Sequence, residues 1–179
     1  MVKSMPIDEY SGLADKKDYA FEIEDLELED TTQLSEKQLL DQALLAEDAM
    51  LKNKKITNSE GATRSFSKNT YNIINSKGFN AKYSKTFHSI SSIAIAGSDT
   101  NMQRDYEYSA ATHASDLLLA EKVGSLAAKR AASRLNSTKI KSCTLDVIFE
   151  PRVAKSILSS FCSCACLLYT SPSPRDLST

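Results

Sequence analysis

Tryptophan is absent, and glycine, proline and histidine are scarce, with five, four and two residues respectively in a chain of 179. The sparse glycines form no Gly-x-x-x-x-Gly-Lys-Ser/Thr loop and no Gly-x-Gly-x-x-Gly, so neither phosphate-cradling signature is present. Gly-x-Ser-x-Gly is missing too, which removes support for a hydrolase nucleophile elbow. His88 and His113 stand outside His-Glu-x-x-His or any other closely spaced metal motif, and each reads as a structural or surface residue. Long apolar runs are also lacking. No window approaches the roughly 18 to 20 consecutive apolar residues of a membrane span, and Met1–Pro6 leads into acidic sequence rather than the apolar run of a secretory signal. A soluble, cytoplasmic protein without a membrane partner is the expectation. No arginine-rich cluster or aromatic–basic interleaving occurs, so nucleic acid is not an expected direct partner.

What is present suits a packed globular chain: 41% of residues are hydrophobic and 25% charged, at a length that favours one domain or part of a larger one. The net charge of −1 hides a split. Residues 1–50 carry 14 Asp/Glu against 4 Lys/Arg, and the rest carries 9 against 18. The basic residues are scattered, as on a solvated surface of mixed charge. The acidic run Phe21-Glu-Ile-Glu-Asp-Leu-Glu-Leu-Glu29 lacks the ligand spacing and central glycine of a calcium loop.

The segment Cys166-Leu-Leu-Tyr-Thr-Ser-Pro-Ser-Pro-Arg-Asp176 resembles the translation of sequencing-adapter DNA, followed by Leu177-Ser-Thr179. Residues 166–179 are therefore set aside from fold reasoning, and the gene is expected to continue past Ala165. Cysteine arithmetic changes accordingly. Cys162-Ser-Cys164-Ala-Cys166 suggests a soft-metal cluster, but without Cys166 a lone Cys-x-Cys pair and the distant Cys143 remain. No second pair stands at zinc-ligand spacing, so buried thiols are the better reading.

Residues 1–34 read as an acidic extended connector, turn-like at Ser11-Gly12. Ser35-Glu-Lys-Gln38 is a capping box that starts a helix whose apolar arc holds Leu39, Leu40, Ala43, Leu44, Ala46, Met50 and Leu51. Glu47 lies within that arc as a rim carboxylate. From about residue 60 the pattern turns strand-like, with candidate strands at 62–67, 69–75, 79–86, 88–96 and 101–110. Turn signals fall at Asn75-Ser-Lys-Gly78 and Ala96-Gly-Ser-Asp99. In the last strand Met102, Arg104, Tyr106 and Tyr108 share one face, and Gln103, Asp105, Glu107 and Ser109 the other. Arg104 beside two tyrosines fits either cation–π packing or a partner contact.

A second helix, capped by Ser115 or Asp116, runs to about Leu135. Its predicted inner face is Leu119, Val123, Leu126, Ala127, Ala131 and Leu135, with Lys122, Lys129, Arg130 and Arg134 mainly outside. Gly124 weakens that helix by roughly 1 kcal/mol relative to alanine, which points to close packing. Leu145-Asp-Val-Ile-Phe149 reads as a buried strand, and Pro151 as the first turn of a third helix. The class is α+β: helix, antiparallel strand meander, helix, strand, helix. The expected core covers 35–149, and 150–165 opens a further, incomplete region.

Several stretches carry a resemblance: Tyr10-Ser-Gly-Leu-Ala-Asp15, Lys55-Ile-Thr-Asn-Ser-Glu-Gly61, Asn101-Met-Gln-Arg-Asp-Tyr-Glu-Tyr108, Val123-Gly124, Ala128-x-x-Ala131, Arg134-Leu135 and Val147-Ile-Phe149. In order and content they resemble the TldD/PmbA metalloprotease family, the "modulator of DNA gyrase" family, and its PmbA/TldE subunit most. The resemblance spans about residues 7–161. Members of that family are considerably longer, so it implies regions missing before Met1 and after Ala165, with Met1 an internal methionine or an artefact of frame choice.

In the TldD subunit a helix after such a strand carries His-Glu-x-x-x-His, which supplies zinc ligands and a general base. The matching positions here are Ser159, Ser160 and Cys164, of which only Cys164 could ligate a metal. The resemblance thus implies a non-catalytic PmbA/TldE-like subunit with no catalytic, cofactor-binding or metal residues of its own. It would pair with a TldD-like subunit that holds zinc, in a heteromeric peptidase acting on unfolded or leader-bearing peptides. Two alternatives stand beside it. One is a TldD-like catalytic subunit whose motif is lost at the junction; the other is a stand-alone α+β interaction module.

Overall fold

The structure, a computed structural model, describes residues 12–165; the adapter-like tail 166–179, the start of the Tyr10–Asp15 segment and Ser11 of the turn-like pair lie outside them. The chain divides into two compact units after Ser137.

In the first unit, Ser35 caps helix α1 (Glu36–Leu51) as the sequence dictates: its hydroxyl accepts the Gln38 N–H, and the Gln38 side chain accepts the Ser35 N–H. Such a box contributes on the order of 1 kcal/mol by satisfying otherwise orphaned donors. A three-stranded antiparallel sheet follows, in the order β1 (Ile56–Ile74), β2 (Asn80–Ala96), β3 (Gln103–Ala111). Helix α2 (Ala120–Ser133) closes the unit. Both helices lie on one face of the sheet and against each other.

The five predicted strands are three. The β1–β2 register runs unbroken from Ala62↔Ser92 to Ile74↔Asn80, because Lys68 and Phe87, where the predicted strands are separated, are neither glycine nor proline and do not interrupt a ladder. The two turns are where the sequence places them. Asn75 Oδ1 accepts the N–H groups of Lys77 and Phe79, closing the β1–β2 hairpin over Gly78. Gly97, after β2, has φ +79°, and a Cβ there would stand 2.6 Å from the Asn101 carbonyl oxygen. β3 spans only Ala96↔Gln103 to His88↔Ala111, so residues 67–87 form a two-stranded ribbon extending beyond it.

The core is built largely from alanine. Met50, Ile56, Ala94, Ala96, Ala127, Ala128 and Ala131 form one buried cluster; Ala46, Ile90, Ala120 and Val123 form the other. The predicted leucine faces are corrected accordingly. Leu119 is 73% exposed, Leu126 is only half-buried, and Leu40, Leu44 and Leu51 face solvent. Small side chains let α2 approach both α1 and the sheet closely, which shifts the buried arc onto Gly124 and the alanines. The predicted cap also moves. Helix α2 starts at Ala120 after Leu119, without a side-chain cap. Ser115 and Asp116 sit in a 3-10 turn (Ala114–Asp116), and the chain that follows brings Leu117 and Leu118 onto the second cluster.

Arg130 and Arg134 are not simply outward. Arg134 Nη1 lies 3.2 Å from Asp105 Oδ2, and Arg130 pairs with Glu107. The inner face of β3 therefore meets α2 through ion pairs.

In the second unit, residues 138–149 carry no regular secondary structure. The predicted strand Leu145–Phe149 is not formed: Val147 and Ile148 are 67% and 97% exposed, and no neighbouring strand among the described residues accepts its backbone groups. Helix α3 (Pro151–Cys164) begins with Pro151 in its first turn, as expected. Among the described residues, no helix is long and apolar enough to cross a membrane.

Candidate functional site

Alternation along β1 and β2 sets one parity toward the helices, and on both strands that parity includes polar residues. Arg64, Thr86 and His88 are all buried there, beside Phe66. Arg64 Nε donates to Gln42 Oε1 of α1 at 2.7 Å, and its Nη1 donates to the carbonyls of Ser65 and Ser89. Its Nη2 stands 3.3 Å from His88 Nδ1. A guanidinium can only donate, so Nδ1 accepts and the imidazole proton sits on Nε2.

That Nε2 lies 3.2 Å from Asp30 Oδ2 but is too poorly aligned for a hydrogen bond; Asp30 acts on it as a charge. Asp30 itself accepts the N–H of Ala114 and the N–H of Thr32, both at 2.7 Å, and its own N–H donates to Thr86 Oγ1. Thr86 N–H donates to the Leu28 carbonyl, and Thr86 Oγ1 to that of Thr112. Four segments meet at this point: the acidic connector, β1, β2 and the exit from β3.

Electrostatics fix the protonation states. Burial pushes the His88 imidazole below its ordinary value of 6.5, the Arg64 cation reinforces this, and Asp30 only partly offsets it. Bonds from Ala114 and Thr32 hold the Asp30 carboxyl well below the usual carboxylate range. Both shifts are downward, so the unfolded chain binds more protons than the fold as pH falls. The His88 contribution to stability is complete above its ordinary value of 6.5 and is lost as pH drops below it; that of Asp30 is lost below about 3.8. Thermal melts between pH 5 and 8 are expected to show midpoints falling with acid, and the slope is expected to flatten in His88→Gln. An equal slope in the variant would remove His88 from the account.

The imidazole is fully buried, and the network fastens the connector to the strands of the first unit. Sequence reading missed Arg64 and Asp30. The available signal was parity: Arg64, Thr86 and His88 occupy the same alternating face as Ile90, Ala94 and Ala96.

The other residues singled out from sequence are dispersed. Glu47 is half-buried and accepts the Ser59 hydroxyl at 2.5 Å. His113 is half-buried, with Nε2 2.7 Å from the Glu27 carbonyl. Arg104, Tyr106 and Tyr108 share the outer face as predicted; Arg104 Nε spans both oxygens of Glu60, and the two rings stack on each other. Arg104 thus engages a carboxylate of β1. Cys143, Cys162 and Cys164 are exposed, which corrects the expectation of buried thiols, because both segments carrying them lie on the surface. On α3, Ser160 Oγ donates to the Ser156 carbonyl and Ser163 Oγ to that of Ser159. Among the described residues no three His, Cys, Asp or Glu side chains converge on a possible metal position.

Comparison with known proteins bears on most of the first unit. Residues 21–135 match the PmbA/TldA metallopeptidase central domain. The metalloprotease PmbA homolog of Buchnera aphidicola (subsp. Baizongia pistaciae) is 37% identical over 156 residues, covering 86% of this chain and 35% of that protein. The metalloprotease PmbA of Escherichia coli O157:H7 is 36% identical over 151 residues, covering 84% and 34%. The chain thus spans about a third of the length of the curated relatives it matches. A crystal structure from Thermotoga maritima, of a protein named for modulating a DNA gyrase, superposes with a TM-score of 0.63 at 25% identity, covering 72% of this chain and 31% of that one. A similarly named structure from Bacteroides thetaiotaomicron gives 0.79 at 23% identity, over 90% and 38%, and shows the shared fold.

Proposed function

This chain belongs to the PmbA/TldD metallopeptidase family, and we propose that it is part of a non-catalytic, PmbA/TldE-like subunit that pairs with a zinc-bearing TldD-like subunit in a cytoplasmic peptide-processing enzyme. The reading is carried by the donor set on α3. The positions that resemble the zinc motif hold Ser159, Ser160 and Cys164, which offer no imidazole to ligate zinc and no carboxylate to act as general base. The Ser160 hydroxyl is spent on its own helix. These residues do not fit the metal, and no chemical step is assigned to them.

The role that remains is architectural. An alanine-packed helix pair holds a long hairpin, and a buried polar network fastens the acidic connector to that hairpin. Both suit a subunit that helps shape a substrate channel whose chemistry lies in its partner. Isothermal titration of zinc into this chain is expected to show no stoichiometric binding near neutral pH. Tight binding of one zinc per chain, abolished by Cys164→Ser, would overturn the assignment.

A further inference from the structure

The acidic connector does more than link regions. It runs along the hairpin from tip to base. Lys77 Nζ at the tip donates to the Leu13 carbonyl and Asp15, Asn75 Nδ2 donates to the Tyr19 hydroxyl, Lys68 pairs with Glu29, and Leu28 and Asp30 are held at Thr86. Where β3 ends, the connector takes its place beside β2, but only at Thr86. Before that point it stands off, leaving a groove of about 850 Å3 between residues 23–29 and residues 81–85, with His113 at its border.

We propose that this groove binds an extended, basic peptide segment by strand addition to the open edge of β2. Successive residues in an antiparallel strand direct their backbone groups to opposite sides, and Thr86 points its N–H to the connector. The backbone groups of Ser84 and Lys82 share that side, and no backbone bond joins either to the connector. They form a short stretch of unused edge, the feature that extended peptides recognise through their main chain.

The chain already makes this contact with itself once, through Leu28, so the geometry admits a strand there. Charge selects the occupant. Glu24, Asp25 and Glu27 are exposed on the connector wall and outnumber Lys82 and Lys85 on the β2 wall, with Glu29 already paired to Lys68. The groove is therefore acidic on balance, and the connector carboxylates would pair with lysine or arginine side chains on the incoming strand. The binding is independent of the assignment of α3, since it would operate in a catalytic or a non-catalytic subunit.

The test is fluorescence anisotropy of the intact 179-residue chain with labelled eight-residue peptides at physiological salt. An alternating Lys-Val peptide is expected to bind at least about tenfold more tightly than its Glu-Val counterpart. N-methylation of alternate amides in the Lys-Val peptide is expected to weaken binding by at least about tenfold, because it removes the edge donors without changing charge. Ser84→Pro deletes one open-edge donor at a position where an edge strand tolerates proline, and is expected to weaken binding similarly while far-ultraviolet circular dichroism stays unchanged. The N-methylated peptide needs no variant, so the test survives if Ser84→Pro misfolds. Equal binding of the methylated and unmethylated peptides, absence of binding, or self-association of the chain through this edge would overturn the proposal.

Discussion

Gly124→Ala is expected to destabilise the first unit by about 2 kcal/mol, although alanine is the better helix former by about 1 kcal/mol. The reason is the helix crossing. A Cβ on Gly124 would stand 1.9 Å from the Ala46 carbonyl oxygen and 3.1 Å from the Met50 nitrogen. Those neighbours are backbone atoms of α1, which cannot rotate aside as a side chain would. The two helices must separate, and separation opens gaps along the alanines that make up most of the core. Overpacking of this kind typically costs about 1–3 kcal/mol, and displacement of a helix backbone lies at the upper end.

Urea unfolding should show a lower midpoint with an unchanged slope. Gly12→Ala is the control: nothing lies within 4 Å of a Cβ there, and its effect should stay within about 0.5 kcal/mol. Equal stability of Gly124→Ala and the parent chain would mean that α1 and α2 do not cross at this glycine.

His88→Ala is the second large effect, expected at about 3 kcal/mol from the loss of a buried ring and its partners. The ring is wholly buried, packs 4.8 Å from the Phe66 centroid, and accepts from Arg64. Its removal leaves a guanidinium donor without an acceptor and Asp30 without the group it faces. The consequence should be local as well as global, because Asp30 fastens the connector. Limited proteolysis is expected to cut residues 20–32 faster in His88→Ala than in a core variant of similar stability, such as Ile90→Ala. Identical cleavage rates in the two variants would show that the network stabilises the unit without fastening the connector.

The sequence carried the elements whose causes are local. The capping box at Ser35, the turn at Asn75–Gly78, the first-turn Pro151 and the alternation in Gln103–Tyr108 each depend on a few neighbouring residues, and each is found as read. What was not legible depends on distant partners. Leu119 and Leu40 look like core residues by periodicity, yet the close crossing at Gly124 turns the alanines inward instead. Leu145–Phe149 has the composition of a strand but lacks a neighbouring strand among the described residues. The buried network joins Asp30, Arg64 and His88 across long sequence separations; parity marks Arg64 and His88 only once the β1–β2 register is known, and nothing local marks Asp30. The zinc-motif comparison is of a different kind. It rests on residue identity at Ser159, Ser160 and Cys164, which packing does not alter.

The most direct test of the non-catalytic assignment is to mix this chain with a TldD-like subunit and measure cleavage of an unstructured peptide. The two are expected to associate. Cleavage should be abolished by replacing either histidine of the partner's His-Glu-x-x-x-His, and unchanged by Cys164→Ser in this chain. Zinc-dependent cleavage by this chain alone, or its loss on Cys164→Ser, would contradict the account.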